Sequence, residues 1–257
     1  MTLPPASQTA LEDAAELFRK AKRVVVLTGA GISTPSGIPD FRSEGSGLWS
    51  HDEPMEVASL TIFRTAPERF FHWFRPLASQ IFYARPNPAH ASLAEYEQAG
   101  HPKTILTQNI DGLHQKAGSG HVVEMHGTLQ TLSCTQCYKQ FASDDFLLPF
   151  IENGTIPRCT SCHGVLKPDV ILFGEQLPQR AWQAAQRAAR QCDLMLVAGS
   201  SLEVMPVAGL PLQALDCGSH LIVINNTQTY VNVRADIVIT ENVATVLPEI
   251  IKRAIHG

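Results

Sequence analysis

The sequence has no apolar run near the roughly 18 residues that a membrane span requires. Its longest hydrophobic stretches, such as 24–27 and 194–198, have the length of buried β-strands. No excess of positive charge is present either: 20 Lys and Arg stand against 24 Asp and Glu in 257 residues, a formal net charge of −4. That balance argues against a broad basic face and against direct nucleic-acid binding. The N-terminal stretch lacks a basic segment followed by an apolar one and carries Glu12, Asp13 and Glu16. Neither a secretory leader nor an Arg-rich transit peptide is expected, and a cytoplasmic protein is. Charged residues are few, at 17%, while hydrophobic ones reach 44%, the proportion of a globular chain with a sizeable core.

What is present alternates. Buried-strand patterns at 24–27, 104–107, 194–198, 221–224 and 236–239 are separated by helical ones, which predicts an α/β fold with a Rossmann-like, mostly parallel, doubly wound sheet. Leu11, Ala14, Ala15 and Phe18 mark one face of an opening helix, with Thr9 and Glu12 spaced as a capping box. Asn87 and Pro88 suit an N-cap and first turn for a helix ending at Gly100. Pro178 and Pro206 are expected to play the same part for helices ending at Gln191 and near Gly218. Two segments break the rhythm. Residues 43–85, rich in Phe and Trp, predict an inserted helical cap whose longest helix Pro76 should kink or end. Residues 129–166 are turn-rich and predict a small metal-binding module. The sheet domain then comprises 1–42, 86–128 and 167–257.

Four of the six cysteines form two pairs with two-residue spacers, Cys134/Cys137 and Cys159/Cys162. Each spacer lets both thiolates of a pair face one ion, so the set predicts one structural Zn2+ in a closed tetrahedral shell. Redox use fits less well, because the pairs lie in turn-rich sequence rather than at the start of a helix in a βαβ unit. Cys192 and Cys217 read as ordinary buried or free thiols.

The first strand runs into Gly29-Ala30-Gly31-Ile32-Ser33-Thr34. Glycines here permit a sharp turn close to a pyrophosphate, with the N-terminus of a following helix offering N–H groups to the anion. Thr34 stands where the dinucleotide fingerprint has its third glycine, so a tight turn with no ligand reads equally well. The words downstream decide. Gly37-Ile38-Pro39-Asp40-Phe41-Arg42-Ser43 comes first, then Thr107-Gln108-Asn109-Ile110-Asp111-Gly112-Leu113-His114, then Glu124-Met125-His126-Gly127. The cysteine pairs follow, and after them Phe173-Gly174-Glu175 and Gly199-Ser200-Ser201. In this order the set resembles the sirtuin family of NAD-dependent protein deacylases, most closely its bacterial members, from about residue 20 to the C-terminus.

The resemblance implies that NAD and an acyl-lysine peptide enter a cleft between the sheet domain and the zinc module. It implies that NAD is consumed: the acyl oxygen attacks C1′ of the nicotinamide ribose, nicotinamide leaves, and the acyl group ends on ADP-ribose. His126 would be the general base, a role its ordinary pKa near 6.5 suits. Asn109 would fix a water and the ribose, and Asp111 would accept from the nicotinamide carboxamide, with Gln108 and Ile110 completing the pocket. An Asx turn capping a loop is the other reading of the Asn109/Asp111 pair. Gly29, Ala30, Gly31, Ser33 and Thr34 would cradle the phosphates, and Asp40, Phe41 and Arg42 would close over the cofactor. Gly199, Ser200, Ser201 and Asn225 would hold the adenosine side, with Val243 near the adenine.

For the peptide, the segments Phe173-Gly174-Glu175 and Leu202-Glu203-Val204 look like the two edges between which substrate adds as a strand. The acyl-lysine stem would pass Phe41, His126, Ile171 and Phe173. Relatives that take acidic acyls carry a Tyr-x-x-Arg pair in the cap, and residues 70–77 contain no tyrosine, so acetyl and longer apolar acyls are expected. Mono-ADP-ribosyl transfer to a protein side chain is the alternative activity.

Overall fold

A computed structural model describes residues 5–40, 47–48 and 53–257. Helix α1 (Pro5–Lys20) leads into β1 (Val24–Thr28). The helix starts ahead of Thr9, so Thr9 is internal and no Thr9/Glu12 cap forms, while Leu11, Ala14, Ala15 and Phe18 are its buried face. Two short 3-10 turns, Ala30–Ile32 and Thr34–Ser36, follow β1. The cap region holds α2 (Pro54–Val57), α3 (Leu60–Thr65) and α4 (Pro67–Tyr83). Helix α4 does not end at Pro76 but runs on to Tyr83; Pro76 is exposed, where a carbonyl deprived of its donor can turn to water.

Helix α5 (Pro88–Gln98) begins with the expected Asn87 cap, whose side chain accepts from Ala89 N. His90 takes the place that Glu holds in an ordinary capping box. Then come β2 (Lys103–Thr107), the short α6 (Leu113–Lys116), and β3 (Val122–Glu124), a three-residue strand with no counterpart among the expected ones. Next are β4 (Gly127–Cys134), β5 (Gln140–Ala142), α7 (Asp144–Asn153) and β6 (Leu166–Val170). The chain continues through α8 (Gln179–Gln191), β7 (Leu194–Ala198), α9 (Leu210–Asp216), β8 (His220–Ile224), β9 (Ile237–Ile239) and α10 (Val243–His256). Pro178 is the cap of α8 rather than its first residue, and Pro206 precedes a 3-10 turn, with Pro211 in the first turn of α9.

The six strands of the large sheet are parallel in the order β3-β2-β1-β7-β8-β9. Alternate residues of β1 serve opposite cores. Val24 and Val26 pack with α1, α5 and α10 on one face, and Val25 and Leu27 with α8 and α9 on the other. From β1 the chain builds outward to β2 and β3, then returns to β7 on β1's other side. Loops leaving β1 and β7 therefore part at their carboxyl ends, where such sheets bind ligands.

The smaller sheet is antiparallel, β5-β4-β6. Its module is not independent of the cap: Phe150 of α7 packs against Phe71 and Phe74 of α4, at centroid distances of 5.3 and 6.3 Å, within one cluster that includes Phe63, Phe70 and Leu147. Arg75 reaches across as well, donating from Nε to Ile151 O at 2.8 Å and from a terminal nitrogen to Glu152 O at 2.6 Å. Its charge thus satisfies the carbonyl end of α7.

Candidate active site

A cleft of about 1310 Å³ opens at the crossover of β1 and β7. Its floor is a crossing of two main chains. A Cβ on Gly199 would lie 2.2 Å from Ile32 N, and one on Gly29 would lie 2.8 Å from Gly199 O; Gly199 also has φ +62°. Glycine is required here by backbone contact. The crossing also corrects the expected helix N-terminus, since only 3-10 turns follow β1 and several N–H groups are already spent. Gly29 N donates to Ala198 O, and Gly31 N donates to Gly199 O at 2.8 Å. The N–H groups of Ala30, Ser200 and Ser201 have no partner among the described residues. All three residues line the cleft, so these donors are available there to an anion.

Above it lies a buried polar array. Ser33 Oγ donates to Asp111 Oδ2 at 2.7 Å, and the second Asp111 oxygen accepts from Leu113 N at 2.8 Å, so the Asx-turn reading also holds. Burial raises the Asp111 pKa despite these bonds. Asn109 Nδ2 donates to Gly29 O at 3.0 Å and Ser33 Oγ at 3.1 Å, which leaves its Oδ1 as the acceptor turned to a ligand or water. Gln108 Nε2 donates to Ser200 Oγ at 2.8 Å, joining the β2 and β7 loops.

His126 stands at the junction of the two sheets. Its Nδ1 lies 3.0 Å from Gln108 O, and because a carbonyl only accepts, Nδ1 carries the proton and Nε2 keeps its lone pair. Burial lowers the His126 pKa, so the ring stays neutral below its ordinary titration range. The next residue, Gly127, has φ +76°, and a Cβ there would lie 2.0 Å from Asp169 O.

Ile171, Phe173, Gly174, Glu175 and Val204 line the same cleft, as do Thr34, Asp40, Ile110 and Asn225. The edges differ from expectation in detail. Phe173 N and O are already bonded to Ala58 O and Leu60 N, each at 3.0 Å, while Gly174 has no backbone bond among the described residues. Glu175 forms an ion pair with Lys167 Nζ at 2.9 Å and accepts from Leu172 N at 2.8 Å, which fixes the turn. Leu202 and Val243 are not brought to the cleft; both are buried in the cores beneath it. Phe41 and Arg42 lie outside the described residues. Asn226, Thr227 and Gln228 also line the cleft, a contribution missed in the sequence although they follow a strand's carboxyl end. So does an apolar arm of Phe70, Trp73, Phe74, Leu77 and Ile81 from the cap.

The sulfurs of Cys134, Cys137, Cys159 and Cys162 all lie within 4.8 Å of one another. Cys134 and Cys162 are 3.4 Å apart, and Cys137 and Cys159 3.7 Å. Those separations fit a tetrahedral ion with Zn–S bonds of about 2.3 Å. The N–H of Cys137, with that of Gln136, brings the Cys134 thiol down to about 6 against the opposing effect of burial, while Cys162, despite the Gly164 N–H, is pushed up to about 12 by the sulfurs around it, so holding all four as thiolates calls for a cation among them. The cluster lies outside the cleft lining, as suits a structural Zn2+.

Residues 29–206 match the Sir2 family model. The chain is 43% identical over 243 residues to NAD-dependent protein deacylase 2 of Archaeoglobus fulgidus, covering 94% of this chain and 95% of that protein. To NAD-dependent protein deacylase of Pseudomonas putida it is 39% identical over 246 residues, 94% of each. Among solved structures, a Sir2 enzyme of 42% identity superposes with a TM-score of 0.89 over 96% of this chain and 98% of the other. A Sir2 complex with a p53 peptide and NAD+ gives 0.85 at 34% identity, over 94% and 97%. Sir2Af2 bound to a myristoylated histone peptide gives 0.83 at 38%, over 96% and 97%.

Proposed function

The chain belongs to the Sir2 family, the sirtuins, and is an NAD-dependent protein-lysine deacylase; from that premise we propose how its own residues divide the work. His126 is the general base, and the observation that carries this is its Nδ1–H bond to Gln108 O, which points an unprotonated Nε2 into the cleft. The N–H donors of Ala30, Ser200 and Ser201 hold phosphate, and Asn225 with Thr227 bounds the adenosine side. Asn109 Oδ1 orients water and ribose hydroxyl, while Asp111, buried and held by Ser33, accepts from an amide. When bound, NAD supplies an electrophilic ribose carbon and carries the acyl group away as ADP-ribose ester while nicotinamide departs. The residues' task is to exclude water, fix the ribose and remove one hydroxyl proton at His126 Nε2.

The peptide is read as an added strand between Gly174 and Val204, with its acyl-lysine directed past Ile171 and Phe173 towards the cap. Arg75 is the cap's cation in the segment 70–77, and it is spent on the carbonyl end of α7, so nothing there offsets a buried carboxylate. Acetyl and longer apolar acyls are therefore the substrates, the latter reaching into the Phe70–Leu77 arm. A reducing, cytoplasmic setting suits four thiolates kept for a metal.

Mass spectrometry of an acetyl-lysine peptide with and without NAD tests the assignment. Deacetylation that needs NAD and yields nicotinamide one for one is expected. Cleavage of NAD with ADP-ribose trapped on protein and the peptide untouched would instead establish mono-ADP-ribosyl transfer.

A further inference from the structure

Two buried histidines lie behind the active-site array and take no part in the chemistry above. His90, in the first turn of α5, is 0% exposed and His114, in α6, is 1% exposed. Their ring centroids are 4.8 Å apart. Each has one ring nitrogen with no hydrogen-bond partner, His90 Nε2 and His114 Nδ1. Leaving two such atoms unpaired in the interior is costly, and their remaining bonds show how they are reconciled.

Asn87 N–H points at His90 Nδ1, 3.4 Å away, so Nδ1 is the acceptor and the ring's proton sits on Nε2. His114 Nε2 lies 3.0 Å from Thr28 Oγ1, Thr28 Oγ1 donates to Thr107 Oγ1 at 2.9 Å, and Asn109 N donates to that same Thr107 oxygen at 3.1 Å. With the Thr28 proton committed to Thr107, Thr28 accepts from His114 Nε2–H. His114 Nδ1 is then a bare acceptor. One orphan is a donor and its neighbour an acceptor. Burial holds His90 down to about 4 and His114 well below its ordinary value, and the N-terminal end of α5 further disfavours a cation at His90.

We propose that His90 and His114 are positioning residues in a neutral hydrogen-bond chain, one-way from Asn87 to Thr107, in which one buried water links His90 Nε2–H to His114 Nδ1. The chain runs from Asn87 through both rings and Thr28 to Thr107 Oγ1, which also accepts the main-chain N–H of Asn109 from the other side. Its near end is anchored to the segment that follows β1: Asn87 Nδ2 donates to Ile32 O at 2.7 Å and Ser36 Oγ at 2.9 Å. The chain thus spans from the loop carrying Ser33 to the amide of Asn109, and fixes the spacing that the Asn109–Ser33–Asp111 bonds need. Its functional part rests on the role assigned to Asn109; its hydrogen-bond direction does not.

The test has two arms. Long-range proton–nitrogen spectra of histidine-labelled protein are expected to show both rings neutral with the proton on Nε2 from pH 5.5 to 8. His114 protonated on Nδ1, or either ring cationic in that interval, would overturn the chain. In the second arm, Thr107→Val, which keeps the shape and removes the hydroxyl, is expected to lower kcat about tenfold with the acyl-peptide KM within about twofold, and Thr107→Ser to restore most of it. Wild-type kcat in a folded Thr107→Val enzyme would refute the positioning role. Should Asn109→Ala be fully active while the two tautomers stand, the role of Asn109 fails and the chain does not.

Discussion

The two walls of the cleft are built on different principles. The nucleotide wall is main chain against main chain: the β1 and β7 loops cross with no room for a Cβ at Gly29 or Gly199, and its side chains are tied by buried polar bonds. The acyl wall is side chain against side chain, an aromatic cluster shared between α4 and α7 and tied to the sheet domain by bonds such as those of Phe173 to Ala58 and Leu60. Backbone crossings admit almost no substitution, whereas packed aromatics tolerate volume-conserving exchange. On the proposed assignment, cofactor recognition falls to the rigid half, and acyl length to the half that side-chain changes can retune.

The largest break should come from the metal. Cys159→Ser, or chelation, is expected to unfold the module and with it the α4–α7 core, abolishing turnover while circular dichroism keeps the large sheet's signal. Complete loss of the sheet signal would show that the walls fold as one unit. His126→Ala should lower kcat by roughly 10²–10⁴ with zinc content and thermal midpoint unchanged; a folded variant with full turnover would remove the general-base assignment. On the rigid wall, Gly199→Ala should cost roughly 3 kcal/mol in denaturant unfolding, through its clash with Ile32 N and positive φ. Trp73→Ala is the contrast on the soft wall: a loss confined to long apolar acyls, read as kcat/KM across a series of acyl lengths with acetyl turnover largely kept.

A smaller effect concerns pH. Because burial lowers the His126 pKa, the ring remains a base below pH 6.5, and the acid limb of kcat/KM should fall at lower pH than for a free imidazole. A limb centred at or above 6.5 would contradict that. Smallest is Arg75→Met, expected to cost about 1 kcal/mol for two lost bonds to α7 and to leave NAD affinity unchanged.

Much of this was legible in the residues. Cysteine spacing announced the metal cluster, and helical and strand periods placed the large sheet's elements apart from β3, whose three residues are too few to show a period. The motif words brought Gly29, Asn109, Asp111, His126 and Ser200 to one cleft. Leu202 lies beside such a word yet points into the core, because proximity in sequence does not fix the direction of a side chain, and Val243, placed by resemblance alone, is buried as well. The acyl wall was the least readable part: the apolar face of α4 is plain, but nothing local says that it meets α7 of the module.

His126 and Gly127 are the residues by which the chain passes from the large sheet into the module, and β6 is the strand by which it returns, the two stems closed by Ile171 N on His126 O at 2.8 Å. The inserted segment is therefore no detachable cassette. On the assignment proposed above, its entry carries the base and its exit the substrate edge, so a change in either stem of the module reaches the site directly.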